Sequence, residues 1–536
     1  MVVPELRRWR AAGPQVVRIA NAVRPRLASA VTTVGPRIAR LAKGVRVGPA
    51  HLPRPPRPRT VRTWQYTAGA ATAGLALAAG VVTVAGPWDA NGQRTAERDR
   101  AVALERSGGA DHGRSGTAAG APAPAPSAEP VLAGLGAAKG AVGTKKTAPG
   151  QTAFSDLLGP LLDDPALGGS HAAAVIDVAT GARLYGAGAG KALTPASTTK
   201  IATAVAALSA LGPDHRLTTR TALEPDTGEL VLVGGGDPTL TAHARPGGWA
   251  SLRALAADTA KALGERGIRK VTLSYDTTLY SGPALHPIGV NDNLAPVSAL
   301  TADEGRSDDS VSGPAARAAD PAADAAARFA GFLKDAGVTT TSPGPSKAST
   351  RAQTLATVTS PPLAALVERM LTNSDNDIAE ALARHTALAS GRPASFSGGA
   401  GAIATQLREL GLPMSGASFH DGSGLDRSDR LTAGLLTALL AKAGDPDRPG
   451  LRPVLTGLPV AGFTGTLSSR YTDGAAGVVR AKTGTLTGVN TLAGTVVDQD
   501  GRLLAFAFLA SDTANGPEAQ AALDRTATAL ARCGCR

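Results

Sequence analysis

The stretch Thr194-Pro-Ala-Ser197-Thr-Thr-Lys200-Ile-Ala-Thr-Ala-Val-Ala-Ala-Leu208 decides how the rest of this chain is read. Thr194-Pro-Ala leads into a helical run, Ser197–Leu211, whose buried stripe is Ile201, Ala204, Val205 and Leu208. Ser197 and Lys200 stand three residues apart at the start of that run. A helix therefore places both side chains on one face about one turn apart, and the ammonium can approach the hydroxyl. That spacing makes a nucleophile and its base, provided that burial or a second cation keeps part of the lysine neutral near pH 7. Backbone N–H groups at the helix N-terminus point toward the place where an oxyanion would develop. Alone, a Ser-x-x-Lys string is equally an ordinary exposed helix start.

Two further strings follow in order. Ser374-Asp-Asn376 falls in the break between two predicted helices, Pro361–Leu371 and Asn376–Ala389, where a hydroxyl and an amide can face a cleft. The same residue types also cap helices. Lys482-Thr-Gly484-Thr485 lies on a predicted strand, with Lys482 and Gly484 on one side and Thr483 and Thr485 on the other. Lys482 is the candidate second cation beside Lys200. Gly484 leaves room for a substrate backbone, and the Thr485 N–H can complete an oxyanion hole with that of Ser197. The order of the three strings, each weak alone, points to serine acyl transfer with lysine in place of histidine.

Working outward, Ala172–Val178 and Arg183–Gly186 read as a hairpin, and Val478–Thr483, Val489–Val497 and Leu503–Ala510 as closing strands before a last helix, Pro517–Ala531. Helical patterning also covers Ala400–Leu410 and Leu431–Ala443. Between 215 and 360 the texture changes to short strands, Glu229–Val233 and Lys270–Tyr275, and two helices, Trp249–Gly264 and near Pro321–Gly337. The pattern predicts an α+β fold, an antiparallel sheet covered by helices, split by an inserted module. The catalytic domain is expected over 152–214 and 361–536, and the insertion over 215–360.

At this point the chain resembles the serine DD-peptidases, the low-molecular-mass penicillin-binding proteins, and most of all their D-alanyl-D-alanine carboxypeptidase/endopeptidase branch. Further strings carry the resemblance: Val231-Leu-Val-Gly-Gly-Gly-Asp-Pro-Thr-Leu240, Tyr275-Asp-Thr-Thr-Leu-Tyr-Ser-Gly-Pro283, Ala295-Pro-Val-Ser-Ala-Leu300, Asp421-Gly-Ser-Gly-Leu425 and Phe463-Thr-Gly-Thr-Leu467. It spans about Ala153 to Ala531. The resemblance implies a penicillin-recognising fold, β-lactamase-like, with the site between a helical and a sheet lobe. It implies that Ser197, deprotonated by Lys200, attacks the bond between two D-alanines of a peptidoglycan stem peptide. Ser374 and Lys482 then pass the proton to the leaving amine, Asn376 positions the acyl side, and Lys482, Thr483 and Thr485 receive the terminal carboxylate. β-Lactams are implied as covalent inhibitors. The stretch between Ser197 and Ser374 is shorter than this branch implies, so one inserted subdomain is expected to be reduced.

The N-terminal part takes no share in that resemblance. The chain of 536 residues has a formal charge of +12, with 43% hydrophobic and 18% charged residues, enough for a sizeable core. Residues 1–63 hold 14 Lys and Arg against Glu5 alone, so the remainder is close to neutral. Polyanion binding is not a property of the whole, and no nucleic-acid partner is expected. Tyr66–Val84, uncharged and bracketed by Trp64 and Trp88, is long enough to cross a bilayer of roughly 30 Å, and the basic tail before it keeps that side cytoplasmic. A single-pass anchor over 64–88 is expected, or a secreted protein if that segment is cleaved. Residues 89–151, rich in Ala, Gly and Pro, read as a flexible linker. The cysteines, Cys533 and Cys535, offer no disulfide framework, and the scattered histidines show no metal-ligand spacing, so neither metal nor cofactor is expected. Two alternatives stay open: a β-lactamase, or a membrane-anchored sensor that binds β-lactam or muropeptide without catalysis.

Overall fold

The computed structural model describes residues 151–471 and 474–534. The basic tail, the expected membrane-crossing stretch, the linker up to residue 150 and Cys535 lie outside them. Among the described residues no helix is long and apolar enough to cross a membrane.

The chain opens with helix α1 (Gln151–Leu162), the hairpin β1 (Ser170–Asp177) and β2 (Arg183–Ala187), the short β3 (Ala192–Leu193) and helix α2 (Thr199–Leu211). There the insertion begins: β4 (Thr218–Leu223), β5 (Leu230–Val233), α3 (Leu252–Gly264), β6 (Lys270–Asp276), α4 (Pro321–Asp335), β7 (Thr339–Pro345) and β8 (Gln353–Thr359). Helices α5 (Leu363–Asn373), α6 (Asn376–Ala389) and α7 (Phe396–Glu409), strand β9 (Leu431–Thr432), and helices α8 (Ala433–Gly444) and α9 (Pro453–Thr456) build the helical lobe. Strands β10 (Val479–Leu486), β11 (Val489–Val497) and β12 (Leu503–Ser511) and helix α10 (Gly516–Ala531) close the sheet lobe.

The main sheet runs β10-β11-β12-β1-β2, antiparallel throughout. Its central strands are buried on both faces, and the bulkiest side chains lie on one of them. On β1 and β12 the small side chains Ala172, Ala174, Ala505 and Ala507 turn toward the helical lobe. Val175, Phe506 and Phe508 turn the other way, against Phe154, Leu158, Leu523 and Leu530 of α1 and α10. Period-two alternation puts every second residue on one face, so alanines let α2 and α8 approach closely while phenylalanines fill the wider opposite layer.

The insertion has its own core and its own mixed sheet, β7-β6-β5-β4-β8, with β5-β6 and β6-β7 parallel. Parallel neighbours need crossovers, which α3 and α4 supply, packing Leu255, Leu263, Phe329 and Leu333 onto Leu232 and Leu273. Its two ends meet. The Leu217 N–H donates to Ser360 Oγ at 2.9 Å, the Ser360 N–H returns to the Leu217 carbonyl at 2.8 Å, and the Leu363 N–H reaches the His215 carbonyl at 2.7 Å. The insertion is thus fastened beside α5, whose far end carries Ser374.

Most helices are capped by the residue before them: Ser251 on α3, Asp320 on α4, Asp375 on α6, Ser395 on α7, Thr432 on α8 and Asn515 on α10. Helix α2 is different. It has no side-chain cap and grows out of a tight 3-10 turn, Ala196–Thr198, which contains Ser197. Truncation of Phe506, fully buried and stacked on Phe508 at 5.1 Å, should lower stability by about 3–5 kcal/mol, read as the loss in thermal midpoint of Phe506→Ala against the parent chain.

Candidate functional site

The turn before α2 is held from three sides. Ala196 sits at φ 47°, a left-handed conformation that costs a non-glycine residue energy. Its neighbour carbonyl, Pro195 O, accepts hydrogen bonds from Thr198 Oγ1 at 2.7 Å and from Thr491 Oγ1 of β11 at 2.8 Å. Gly424 and Gly484 close in on either side. A Cβ on Gly424 would stand 2.0 Å from the Ala196 carbonyl, and one on Gly484 would stand 2.1 Å from Thr491 Oγ1 and 2.7 Å from Pro195 O. The sequence reading reserved the space at Gly484 for substrate. The structure fills that space with the Ser197 turn, so the glycine sets the fit between strand β10 and the candidate nucleophile instead.

Lys200 is fully buried, and all three of its ammonium protons have acceptors: Ser197 Oγ at 3.0 Å, Asn376 Oδ1 at 2.6 Å and the Ser423 carbonyl at 2.7 Å. Lys482, also fully buried, donates to Ser374 Oγ at 2.8 Å and to the Thr483 carbonyl at 2.7 Å. Each lysine thus serves one serine. Ser374 closes α5 in the left-handed region (φ 59°), and Asp375, not Ser374, caps α6 by accepting the Ile378 N–H at 3.0 Å. Capping and cleft-lining were rival readings of this tripeptide; all three residues line the cleft, and the middle one also makes the cap. Asn376 also donates Nδ2 to the Asn293 carbonyl of the insertion at 2.8 Å.

Ser197, Ser374, Asn376, Thr483 and Thr485 line one cleft of about 300 Å³, walled on the insertion side by Asn293, Arg306 and Arg317. Lys200 and Lys482 lie beneath it. Strand β10 is the sheet edge here: the Ala481 N–H donates outward to the Pro459 carbonyl, so the period-two alternation turns the N–H groups of Thr483 and Thr485 to that same free edge. Thr483 Oγ1 donates to Thr466 Oγ1 at 3.0 Å.

Burial pushes the Lys200 ammonium down from 10.5 to about 8, against Asp421, Asp375, Glu380 and Asp377, whose charges hold it up. Burial also drives Lys482 well below its ordinary value, and repulsion from Lys200 and Arg470 adds to the fall. The sequence reading had Lys482 acting on Lys200. Burial is the first cause of the fall at both lysines, and their mutual repulsion favours one neutral amine in the pair.

Those carboxylates are the part of the site that sequence reasoning missed. Glu380, one helical turn beyond Asn376 on α6, takes the N–H groups of Gly422 and Ser423 at 3.0 and 2.9 Å and so aims the Ser423 carbonyl at Lys200. Arg384, a further turn along, pairs with Glu380 at 3.4 Å. Asp421 accepts from the Ser423, Gly424 and Asp426 amides and lies 3.1 Å from His286 Nε2. Burial alone would raise Asp421, but these hydrogen bonds outweigh it and hold it at about 2; burial and the Asp421 charge push Asp429 up to about 10, so Asp429 carries the proton between them. Below the Ser374 turn, Glu304, Asp375 and Asp377 meet Arg306, Arg317 and Arg369, with Arg306 to Glu304 at 2.8 Å and Arg317 to Asp377 at 3.0 Å. Both clusters place carboxylates at ligand spacing for a cation. Their lone pairs are engaged by amides and guanidinium groups, which accounts for them as buried ion networks. The strings Asp421–Leu425 and Phe463–Leu467, quoted above only for the resemblance, are the signal that held Ser423 and Thr466.

Residues 155–315 and 310–530 match the D-Ala-D-Ala carboxypeptidase 3 (S13) family. The chain belongs to that family. It is 41% identical over 377 residues to carboxypeptidase DacB of Mycolicibacterium smegmatis, covering 67% of this chain and 80% of that one. A carboxypeptidase of Mycobacterium tuberculosis is 38% identical over 431 residues, covering 77% and 90%. The crystal structure of penicillin binding protein 4 from Haemophilus influenzae superposes with a TM-score of 0.58 at 23% identity, over 70% of this chain and 98% of that one. The S13 chain therefore shares the penicillin-recognising fold, with the site between its two lobes.

In this S13 chain Gly484→Ala should push β10 off the Ser197 turn. Acylation by a fluorescent penicillin is expected to fall at least about tenfold while near-ultraviolet circular dichroism stays that of the parent.

Proposed function

We propose that the chain is a serine-type D-Ala-D-Ala carboxypeptidase/endopeptidase that cuts peptidoglycan stem peptides through an acyl-enzyme on Ser197. One observation carries the reading: the Ser197 hydroxyl and a buried, partly neutral amine lie 3.0 Å apart at the floor of a cleft that also holds the Ser374–Lys482 pair.

The neutral form of Lys200 keeps two N–H bonds, and two acceptors other than Ser197 are in place for them, Asn376 Oδ1 and the Ser423 carbonyl. The lone pair is then left facing Ser197 Oγ. With a pKa of about 8, roughly a tenth of Lys200 is neutral at pH 7. Ser197 Oγ attacks the carbonyl carbon between the two D-alanines as its proton moves to Lys200 Nζ. The tetrahedral oxyanion faces the Ser197 and Thr485 N–H groups. Thr483 and Thr485 receive the carboxylate of the leaving D-alanine, whose charge favours the ammonium form of Lys482. The C–N bond then breaks as Ser374 hands its proton to the departing amine and takes one from the Lys482 ammonium. Water attacks the ester carbonyl, its proton passing through Ser374 to the now neutral Lys482, and Lys200 returns its proton to Ser197 Oγ as the ester C–O bond breaks.

A β-lactam acylates the same hydroxyl, but its ring fragment stays attached. The carboxylates on the cleft wall, Asp375 and Asp377, are engaged by the α6 cap and by Arg317, which leaves neither as a ready base for rapid hydrolysis of that adduct. This favours an inhibited peptidase over a β-lactamase. The basic tail and the apolar stretch Tyr66–Val84 support anchoring in the cytoplasmic membrane with the catalytic domain outside, where its polymeric substrate lies.

Two outcomes are expected. Labelled penicillin followed by peptide mapping marks the peptide containing Ser197 in the parent and marks nothing in Ser197→Ala; a label elsewhere refutes the assignment. The second-order acylation rate should climb about tenfold per pH unit below pH 8 and level off above it, because the depressed lysine must lose its proton to work. A rate independent of pH from 6 to 9 contradicts Lys200 as the base.

A further inference from the structure

A second cavity, of about 230 Å³, opens on the other side of the wall formed by Arg306 and Ser310–Arg317. Arg306 lines both spaces, Ser310 and Val311 face the second cavity, and Ser312, Gly313 and Pro314 face the catalytic cleft. Its outer wall is the loop between Thr241 and Ser251, closed at its base by the Thr241 N–H to Ala250 carbonyl bond at 2.8 Å and the Leu252 N–H to Thr241 carbonyl bond at 2.9 Å. That loop presents Arg245 and Trp249. Trp249 packs its ring against the helical-lobe core and lies 4.9 Å from the Arg369 guanidinium.

The charges in this cavity are unevenly committed. Asp303 is held by Thr241 Oγ1 at 2.5 Å, by His243 at 3.5 Å and by Arg328 at 3.4 Å, and Glu304 by Arg306 and Arg369. Arg245, exposed at the rim, has no hydrogen-bond or ion-pair partner among the described residues, nor does the Trp249 indole N–H. The uncommitted features are thus one cation and one N–H donor, since the Trp249 ring itself is covered by Arg369 and the helical-lobe core. Together they fit a ligand with a carboxylate for Arg245 and a neighbouring hydrogen-bond acceptor, such as a sugar oxygen, for the indole N–H.

The catalytic cleft says where such a group would come from. In the reading above the scissile D-alanine carboxylate sits on β10 and Asn376 holds the acyl side. Asn376 is bonded to Asn293 of the insertion, and Arg306 stands in the same cleft wall; an upstream chain that follows this wall reaches Arg306. A stem peptide carries there a free carboxylate on its γ-linked glutamate and, beyond it, the muramoyl sugar. We propose that the cavity at Arg245 and Trp249 is a second subsite, which binds this anionic, sugar-bearing upstream part of the substrate. The inference rests on the peptidase reading, and makes the insertion a device for preferring glycan-linked substrate to short peptides.

The test uses the full chain with Trp9, Trp64 and Trp88 replaced by Phe, so that Trp249 alone of the four tryptophans reports. Titration with a disaccharide pentapeptide should change its fluorescence saturably. Arg245→Ala should weaken that binding about tenfold, the loss of one charge-assisted hydrogen bond, and Arg245→Lys should restore part of it. In turnover assays Arg245→Ala should raise KM for the disaccharide pentapeptide and leave a diacetylated tripeptide ending in D-Ala-D-Ala, and penicillin acylation, unchanged. No fluorescence response at millimolar ligand, or an equal effect of Arg245→Ala on long and short substrates, overturns the subsite. The binding arm does not need turnover: an enzyme inert toward both substrates refutes the peptidase reading, while the fluorescence titration still decides the cavity.

Discussion

Two amines buried beneath one cleft govern this molecule. Taking an ammonium group out of water costs several kcal/mol, and two side by side also repel. The structure meets that cost unequally. Lys200 has three acceptors and four carboxylates around it, whereas Lys482 has a serine hydroxyl and a backbone carbonyl and, among the described residues, no carboxylate that offsets its burial. Helix α6 carries much of the compensation: Asn376, Glu380 and Arg384 follow one another a turn apart and tie Lys200, the 422–423 backbone and the ring of Phe396, over which Arg384 lies at 4.1 Å. A catalytic lysine near neutrality is thus a property of the whole buried network.

The insertion takes part in that network through its loops, not its sheet. Glu304 reaches under the Ser374 turn from a segment in which Asp303, Glu304 and Gly305 all have positive φ, a strained conformation for two of the three. Arg306 and Arg317 stand in the cleft wall and also hold Glu304 and Asp377. Strain in one segment is offset by ion pairs that fix the turn of another.

What could be read from the sequence followed the strength of the local pattern. Strand β11 and helix α6 fall on the predicted residues, because one is rich in β-branched residues between a glycine and an Asp-Gln-Asp-Gly turn and the other begins at a polar break with a strong helical period. Strands β4, β7 and β8 went unread. They are threonine-rich, β7 contains Pro343 and Pro345, and β7 and β8 are sheet edges, where proline is tolerated and apolar alternation is weak. In the site, the three motif strings were legible because they occur together and in order, although hydroxyls and amines at each of those spacings have commoner uses as caps and exposed helix starts. Glu380 was not, since an acidic residue in a helix looks solvent-facing until Gly422 and Ser423, 42 and 43 residues later, supply donors. Gly484 was legible as a close approach but not as to what approaches.

The bonds that join Leu217 to Ser360 span 143 residues of chain. Without them, bringing α2 onto α5 through α8 would mean closing a loop of that length. Once the inserted sheet has formed on its own core, its two ends already touch, and the remaining gap behaves as a few residues. Since each doubling of loop length costs about 0.6 kcal/mol, the pre-closed insertion removes roughly 3 kcal/mol of chain entropy from the assembly of the helical lobe. An appendage to the catalytic domain in the finished molecule is thus, during folding, a clasp that brings the nucleophile's helix to its neighbours.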